Sequence, residues 1–289
     1  MPKHQRVVLN AHAKINLCLD LTGAAPNGYH LIDTIMHSVS LCDVVTLELT
    51  GSRNIEIFCS NNSALADKSN IAYKAAAAFF AVTGISPAGL SINLEKNIPA
   101  QAGLGGGSAD GAAVLCGLNK LLAAGLDNKA LCKIGLTIGS DLPFCIVGGC
   151  ARAEGIGELM TPLPVLPDCK IVIVKPDTGV STALAYKSYD EYTGDIPPVD
   201  VIGMKYALEC GELAGVAARM QNVFETVAVY ETAAIKKQLY SHGAIGAVLS
   251  GSGSAVAGIF APNADVTACV KSFGCFACET RPMGSNGFA

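Results

Sequence analysis

Apolar and polar positions alternate along much of the chain, and the alternation changes period at identifiable points. Val7–Leu9 and Ile15–Leu21 read as strands, the second ended by the Pro/Asn/Gly turn APNG at 25–28. Val44–Leu49 (VVTLEL) and Ile55–Phe58 alternate with period two and predict two more strands. Alanine-rich Asn70–Ala81 predicts a helix, and Leu90–Leu94 a short strand. Beyond Ser108, the positions Ala112, Ala113, Cys116 and Leu121 form a helical stripe with Ser108 placed as its N-cap. Later, CKIVIVKP predicts a strand, and Ser181–Tyr186, Val201–Leu213 and Asn222–Leu239 predict helices. AIGAVLSGSGSAVAGIFA reads as strand, glycine loop, strand. Strands and helices are mixed rather than strictly alternating, which favours an α+β fold over a doubly wound parallel sheet. Three prolines between Pro162 and Pro167 mark a linker and divide the chain into domains 1–161 and 162–289.

Composition narrows the function classes. The hydrophobic fraction is 51% and the charged fraction 15%, so the chain can bury a sizeable core and is not a disordered one. A net charge of −4 without any basic stripe argues against nucleic acid as a partner, while a local site for a small anion stays open. Gly243–Ala264 is uncharged and long enough to span a bilayer, but its SGSGSA centre is polar and no anchors flank it, so no membrane partner is expected. The 12 cysteines fall largely inside apolar runs, as small buried hydrophobes do in a reducing compartment. Cys275 and Cys278 have CxxC spacing, but no second pair completes a zinc site. The first residues show no apolar leader, and a cytoplasmic location is expected.

The candidate chemistry starts at IPAQAGLGGGSADGAAVL, residues 98–115. Five of the ten residues after Gln101 are glycine, and an apolar helix follows. A bare backbone at a helix N-terminus offers free N–H groups and partial positive charge to an anion. It is neither a Walker A loop, since no lysine follows Gly107, nor a GxGxxG fingerprint, since the sixth positions are Ser108 or Asp110. Asp141 in GSDLPF reads either as a turn or N-cap residue or as a proton acceptor. Lys14 stands in the apolar strand AKINL, with Asn16 two residues on and hence on the same face.

PAQAGLGGGSADGAA resembles the central motif of the GHMP kinase family, AHAKINLCLDL its first motif and AVLSGSGSAVAGIF its third, in the family's order and across nearly the whole chain. The resemblance implies a two-domain α+β fold, with an N-terminal domain like domain 2 of ribosomal protein S5 and a C-terminal α/β-sandwich. It implies an ATP-dependent kinase that phosphorylates an alcohol, with Mg²⁺ sharing the phosphate charge. Pro99, Gly103, Leu104, Gly105, Gly106, Gly107 and Ser108 would hold the nucleotide, with Lys96 in reach of it. Ser108 would touch phosphate or metal, cap the helix, or both. Asp141 would be the base and Lys14 would orient it.

The segments AKINLCLDLTGAAPNGYH, IGSDLPFCI, EGIGELMTPLP and QNVFETVA are similar to one branch of the family. In that branch the acceptor is the position-2 hydroxyl of a polyol carrying a cytidine diphosphate, on the route to isoprenoid precursors. Tyr29, His30 and Tyr186 would hold the cytosine, and Asn16 would hydrogen-bond substrate. His12 stands where the family usually has proline, and Gly111 where it usually has alanine. A homoserine- or mevalonate-type kinase is the alternative enzyme, and a non-catalytic nucleotide-binding module the alternative of another class.

Overall fold

The first apolar stretch proves longer than its pattern predicts. In a computed structural model, which describes residues 5–26, 28–52, 54–60, 67–85, 89–228 and 231–285, the two expected N-terminal strands are one strand, β1 (Arg6–Ala24). Asn27 of the predicted turn lies outside the described residues. β2 (His30–Leu49) likewise extends the predicted VVTLEL strand back to His30. Three polar residues, Lys14, Asn16 and Thr34, sit inside these strands and are buried.

β3 (Ile55–Cys59), helix α1 (Ile71–Thr83), β4 (Leu90–Glu95), α2 (Gly106–Leu121), α3 (Asn128–Leu136), α4 (Leu142–Val147), β5 (Cys150–Gly155) and β6 (Leu159–Leu163) follow. The second half contributes β7 (Lys170–Lys175), α5 (Thr182–Glu191), α6 (Val201–Glu209), α7 (Leu213–Ala217), β8 (Gln221–Asn222), α8 (Glu231–Ser241), β9 (Gly246–Leu249), β10 (Val256–Phe260), α9 (Thr267–Lys271) and β11 (Phe276–Thr280). The helix predicted over Asn222–Leu239 is instead β8, a 3₁₀ turn at Val223–Thr226, and α8. The Asn222 side chain causes the break: it accepts from the Phe224 N–H and donates to two carbonyls across the chain, at Leu249 and Gly251.

The first sheet runs β3-β4-β2-β1-β8, with β5 and β6 added along the early part of β2. The second runs β11-β7-β10-β9. Helices α1–α4 cover one face of the first sheet, joining Ala76, Phe79, Val114 and Phe144 to Val45 and Leu47. The other face meets α6 and the second sheet through Ile15, Leu17, Ile35, Ile171, Ile173 and Met204. Val172 and Val174 point the opposite way, into a third cluster with α8. Burial on both faces explains why β7 reads as an unbroken apolar run. Gly111 fits this packing, since a Cβ there would lie 2.8 Å from Ile71 Cγ2 and 3.0 Å from Leu142 Cδ2. The division proposed at 161/162 lies within β6, and the chain passes from the first sheet to the second between Leu163 and Lys170. Among the described residues no helix is long and apolar enough to cross a membrane.

One buried polar residue ties this passage down. His37 in β2 is 0% exposed; its Nε2 accepts from the Leu166 N–H at 2.9 Å and its Nδ1 donates to the Ser38 carbonyl at 2.7 Å. An N–H can only donate and a carbonyl only accept, so the ring is neutral with its proton on Nδ1. Burial holds its pKa down at about 4, against an ordinary 6.5. Above pH 6.5 folded and unfolded chains are both neutral here and the contribution is full. As pH falls from 6.5 towards 4 the unfolded chain takes up the proton first, and stability is lost. The expected loss between pH 7 and pH 5 is about 2 kcal/mol. Urea unfolding at both pH values checks this: His37→Gln should lose markedly less than wild type over that interval, and equal losses would show that His37 is not the group responsible.

Candidate active site

The glycine loop enters α2 earlier than expected. The helix begins at Gly106, and Gly105 takes the N-cap position with a left-handed backbone (φ 69°). Ser108 is therefore not the N-cap but the third helical residue, because a glycine already makes the entry turn that a capping side chain would otherwise serve. The amides of Gly106, Gly107 and Ser108 have no carbonyl one turn earlier to bond. Two neighbours fix the loop. The Lys14 N–H in β1 donates to the Leu104 carbonyl at 2.9 Å. The β9–β10 loop reaches it through Ser250 Oγ, which donates to the Gly103 carbonyl at 2.9 Å, and the Ala255 N–H, which donates to the Ala102 carbonyl at 3.0 Å. A Cβ on Gly103 would stand 1.9 Å from the Ser250 carbonyl oxygen. The first and third motifs thus clamp the second.

Asp141 occupies the N-cap position of α4, yet its side chain makes no cap hydrogen bond. The turn reading accounts for its backbone and leaves its carboxylate unused. That carboxylate lies 3.6 Å from Lys14 Nζ, with 37% of its side chain exposed against 5% for Lys14. Lys14 Nζ also donates to Asn16 Oδ1 at 2.8 Å. Asn16, buried beside it, gives an amide hydrogen to Thr34 Oγ1 at 2.8 Å and keeps a second one.

Lys96 is less available than its position suggests. Its ammonium pairs with Asp43 and with Asp110 Oδ2, the latter at 2.6 Å. Asp43 in turn accepts the N–H groups of Asn97 (2.5 Å) and Ile98 (2.8 Å). Burial pushes Asp110 up to about 7, opposed by the Lys96 charge. Asp43 and Asp110 were signalled only as carboxylates inside apolar surroundings, in LCDVV and SADGAAVL.

At the far end of the same space, the His30 ring stacks on Tyr186 with centroids 5.0 Å apart and planes 29° from parallel. His30 Nε2 lies 3.2 Å from Asp190 Oδ1 on α5. Tyr186 meets Phe224 edge-on at 4.9 Å. Burial first, and then the Asp141 charge, push the Tyr186 phenol up. Tyr29, 66% exposed, lines the rim. Every candidate residue named from the sequence lines one cleft of about 1220 Å³ between the two sheets' loops. Thr34, Asp110 and Phe224 line it too and were not singled out as site residues.

Residues 70–149 match the model of the GHMP kinases N-terminal domain, and residues 204–278 that of the GHMP kinases C-terminal domain. The chain belongs to the GHMP kinase family. Among relatives of this GHMP kinase, the 4-diphosphocytidyl-2-C-methyl-D-erythritol kinase of Lachnoclostridium phytofermentans is 42% identical, over 88% of either chain. The enzyme of the same name from Caldicellulosiruptor saccharolyticus is also 42% identical, over 90% of either chain. A solved structure of a 4-(cytidine 5'-diphospho)-2C-methyl-D-erythritol kinase superimposes with a TM-score of 0.80 at 31% identity, covering 96% of this chain and 100% of its own. Homoserine kinase from Cytophaga hutchinsonii shares the fold at 17% identity, with a TM-score of 0.76 and coverage of 99% and 96%. The two-domain GHMP fold and the ATP-dependent small-molecule kinase activity expected from the three motifs are those of this family.

Proposed function

We propose that this GHMP kinase transfers the γ-phosphoryl group of ATP to the position-2 hydroxyl of 4-(cytidine 5'-diphospho)-2-C-methyl-D-erythritol, a step of the methylerythritol phosphate route to isoprenoid precursors. The observation that supports it best is the meeting, in one cleft, of an amide-rich helix start, the Lys14–Asp141 pair and the His30–Tyr186 stack. The amides of Gly106–Ser108 hold the triphosphate. Asp141 takes the proton of the attacking hydroxyl. Lys14 holds Asp141 and faces the charge that develops on the phosphoryl oxygens. Asn16 offers its remaining amide hydrogen to the acceptor. Tyr29, His30 and Tyr186 receive the cytosine, which needs aromatic faces that mevalonate and homoserine would leave unused. The site of action is the cytoplasm.

Mg²⁺ belongs to the proposal as well. Its usual protein ligands are one or two oxygens, with phosphates and water completing six. Ser108, in the first turn of α2 on the cleft wall, offers one such oxygen, and phosphate oxygens and water would complete the set. When bound, the ion would neutralise phosphate charge.

A thermal-shift panel tests the acceptor class. CDP should raise the melting temperature, and more so with a non-hydrolysable ATP analogue present, while mevalonate and homoserine should leave it unchanged. A shift with mevalonate or homoserine alone would reassign the acceptor. Tyr186→Ala should weaken CDP binding tenfold or more, since stacking on an aromatic contributes roughly 1–3 kcal/mol per base. ATP affinity should barely move. Calorimetric titration of both ligands measures this, and unchanged CDP affinity would place the cytosine elsewhere.

A further inference from the structure

Thr34 takes no part in the chemistry assigned above, yet it lies fully buried directly behind it. Its Oγ1 is 2.6 Å from the Cys18 carbonyl oxygen. A carbonyl only accepts, so the hydroxyl hydrogen must point there. The Thr34 oxygen is then left with lone pairs alone towards Asn16, 2.8 Å away. That fixes which end of the Asn16 amide faces it: the NH₂ group turns to Thr34 and Oδ1 turns to Lys14 Nζ, at 2.8 Å. Without this constraint the amide could turn over and set two N–H donors against the Lys14 ammonium.

We infer that Thr34 is a positioning residue for phosphoryl transfer, the end of a buried relay running Cys18 carbonyl, Thr34, Asn16, Lys14, Asp141 that locks Asn16 and thereby aims the Lys14 ammonium. The inference rests on the kinase reading above. One ammonium hydrogen is held by Asn16. The rest of the ammonium is left to the ion pair with Asp141, 3.6 Å away, and to the cleft that Lys14 lines with the glycine loop. Lys14 is further confined from the loop side, where its stem packs against Gly105 so closely that a Cβ there would lie 2.9 Å from Lys14 Cγ. The ammonium thus has one direction set by Thr34 and another by the loop. The chain of bonds links β1 and β2 across the strand pair in which Leu19 lies opposite Thr34.

The test compares Thr34→Val, which keeps the shape and removes the hydroxyl, with Thr34→Ser, which keeps the hydroxyl. Steady-state phosphorylation of the cytidine diphosphate substrate gives kcat and the KM for ATP. Thr34→Val should lower kcat roughly 10- to 100-fold, the scale of one buried hydrogen bond left unmade, with the KM for ATP within about threefold of wild type. Thr34→Ser should recover kcat to within about threefold of wild type, on the same scale. Thr34→Ala, which also lacks the hydroxyl, should repeat the Val result if Thr34→Val proves too unstable to assay. A hydroxyl-free variant with wild-type kcat would overturn the relay, and so would a Thr34→Ser enzyme as slow as Thr34→Val, because packing would then be the cause. Wild-type enzyme that leaves the substrate unphosphorylated contradicts the kinase reading instead, so the two failures are separable.

Discussion

Asp141→Asn should lose about 10²- to 10⁴-fold in single-turnover phosphorylation, the range expected when a general base is removed. The replacement is nearly isosteric, and the carboxylate makes no cap hydrogen bond to α4, so the fold has little to lose. Its loss is felt where the hydroxyl proton must go. Asparagine cannot take that proton, and it no longer balances the Lys14 charge 3.6 Å away. Both effects act in the transition state more than in the ground state. Equilibrium binding of ATP and of the cytidine substrate, measured on the same preparation, should therefore change far less than turnover. An enzyme that binds both ligands and still turns over within about threefold of wild type would remove Asp141 as the base.

Gly103→Ala should separate the loops that form the nucleotide end of the cleft. Two terms act against it. The backbone there is left-handed (φ 72°), which a side chain disfavours, and the new Cβ would stand 1.9 Å from the Ser250 carbonyl oxygen. The colliding atom is backbone, so no rotamer change relieves it. ATP affinity should fall at least about tenfold, and the melting temperature by several degrees, in line with roughly 2–4 °C per kcal/mol for chains approaching this size. Gly125→Ala is the matched control, because its φ is 71° and nothing lies within 4 Å of the added atom. It carries the backbone strain without the collision and should leave ATP affinity alone. Equal ATP affinity in wild type and Gly103→Ala, by calorimetry, would show that the loop contact does not shape the nucleotide site.

The sequence was most legible where one residue type had one physical use. The glycines of the loop, the strand–loop–strand of the third motif and the apolar run of β7 all took the form their pattern predicts. It was least legible where a polar residue served the interior. Lys14 and Asn16 could be placed on a strand and on one face of it, but nothing in the pattern showed that both are buried there or that Thr34 is buried beside them. Asn222 looked like a helix start, whereas its side chain bridges to the β9–β10 loop. Asp43 and Asp110 were passed over because an acidic residue reveals its partner, here Lys96, only once strand and helix have been brought together. The same holds for Thr34: a threonine in a strand is ordinary, and only its two hydrogen bonds, one across the strand pair to the Cys18 carbonyl, distinguish it.

The atom that receives the phosphoryl group defines the proposed reaction. Incubation with ATP and 4-(cytidine 5'-diphospho)-2-C-methyl-D-erythritol, followed by phosphorus and carbon NMR of the product, tests it directly. One new phosphate monoester is expected, coupled to the carbon that bears the position-2 hydroxyl, with the diphosphate bridge to cytidine intact. A monoester on any other hydroxyl, or ADP release without a new monoester, would contradict it.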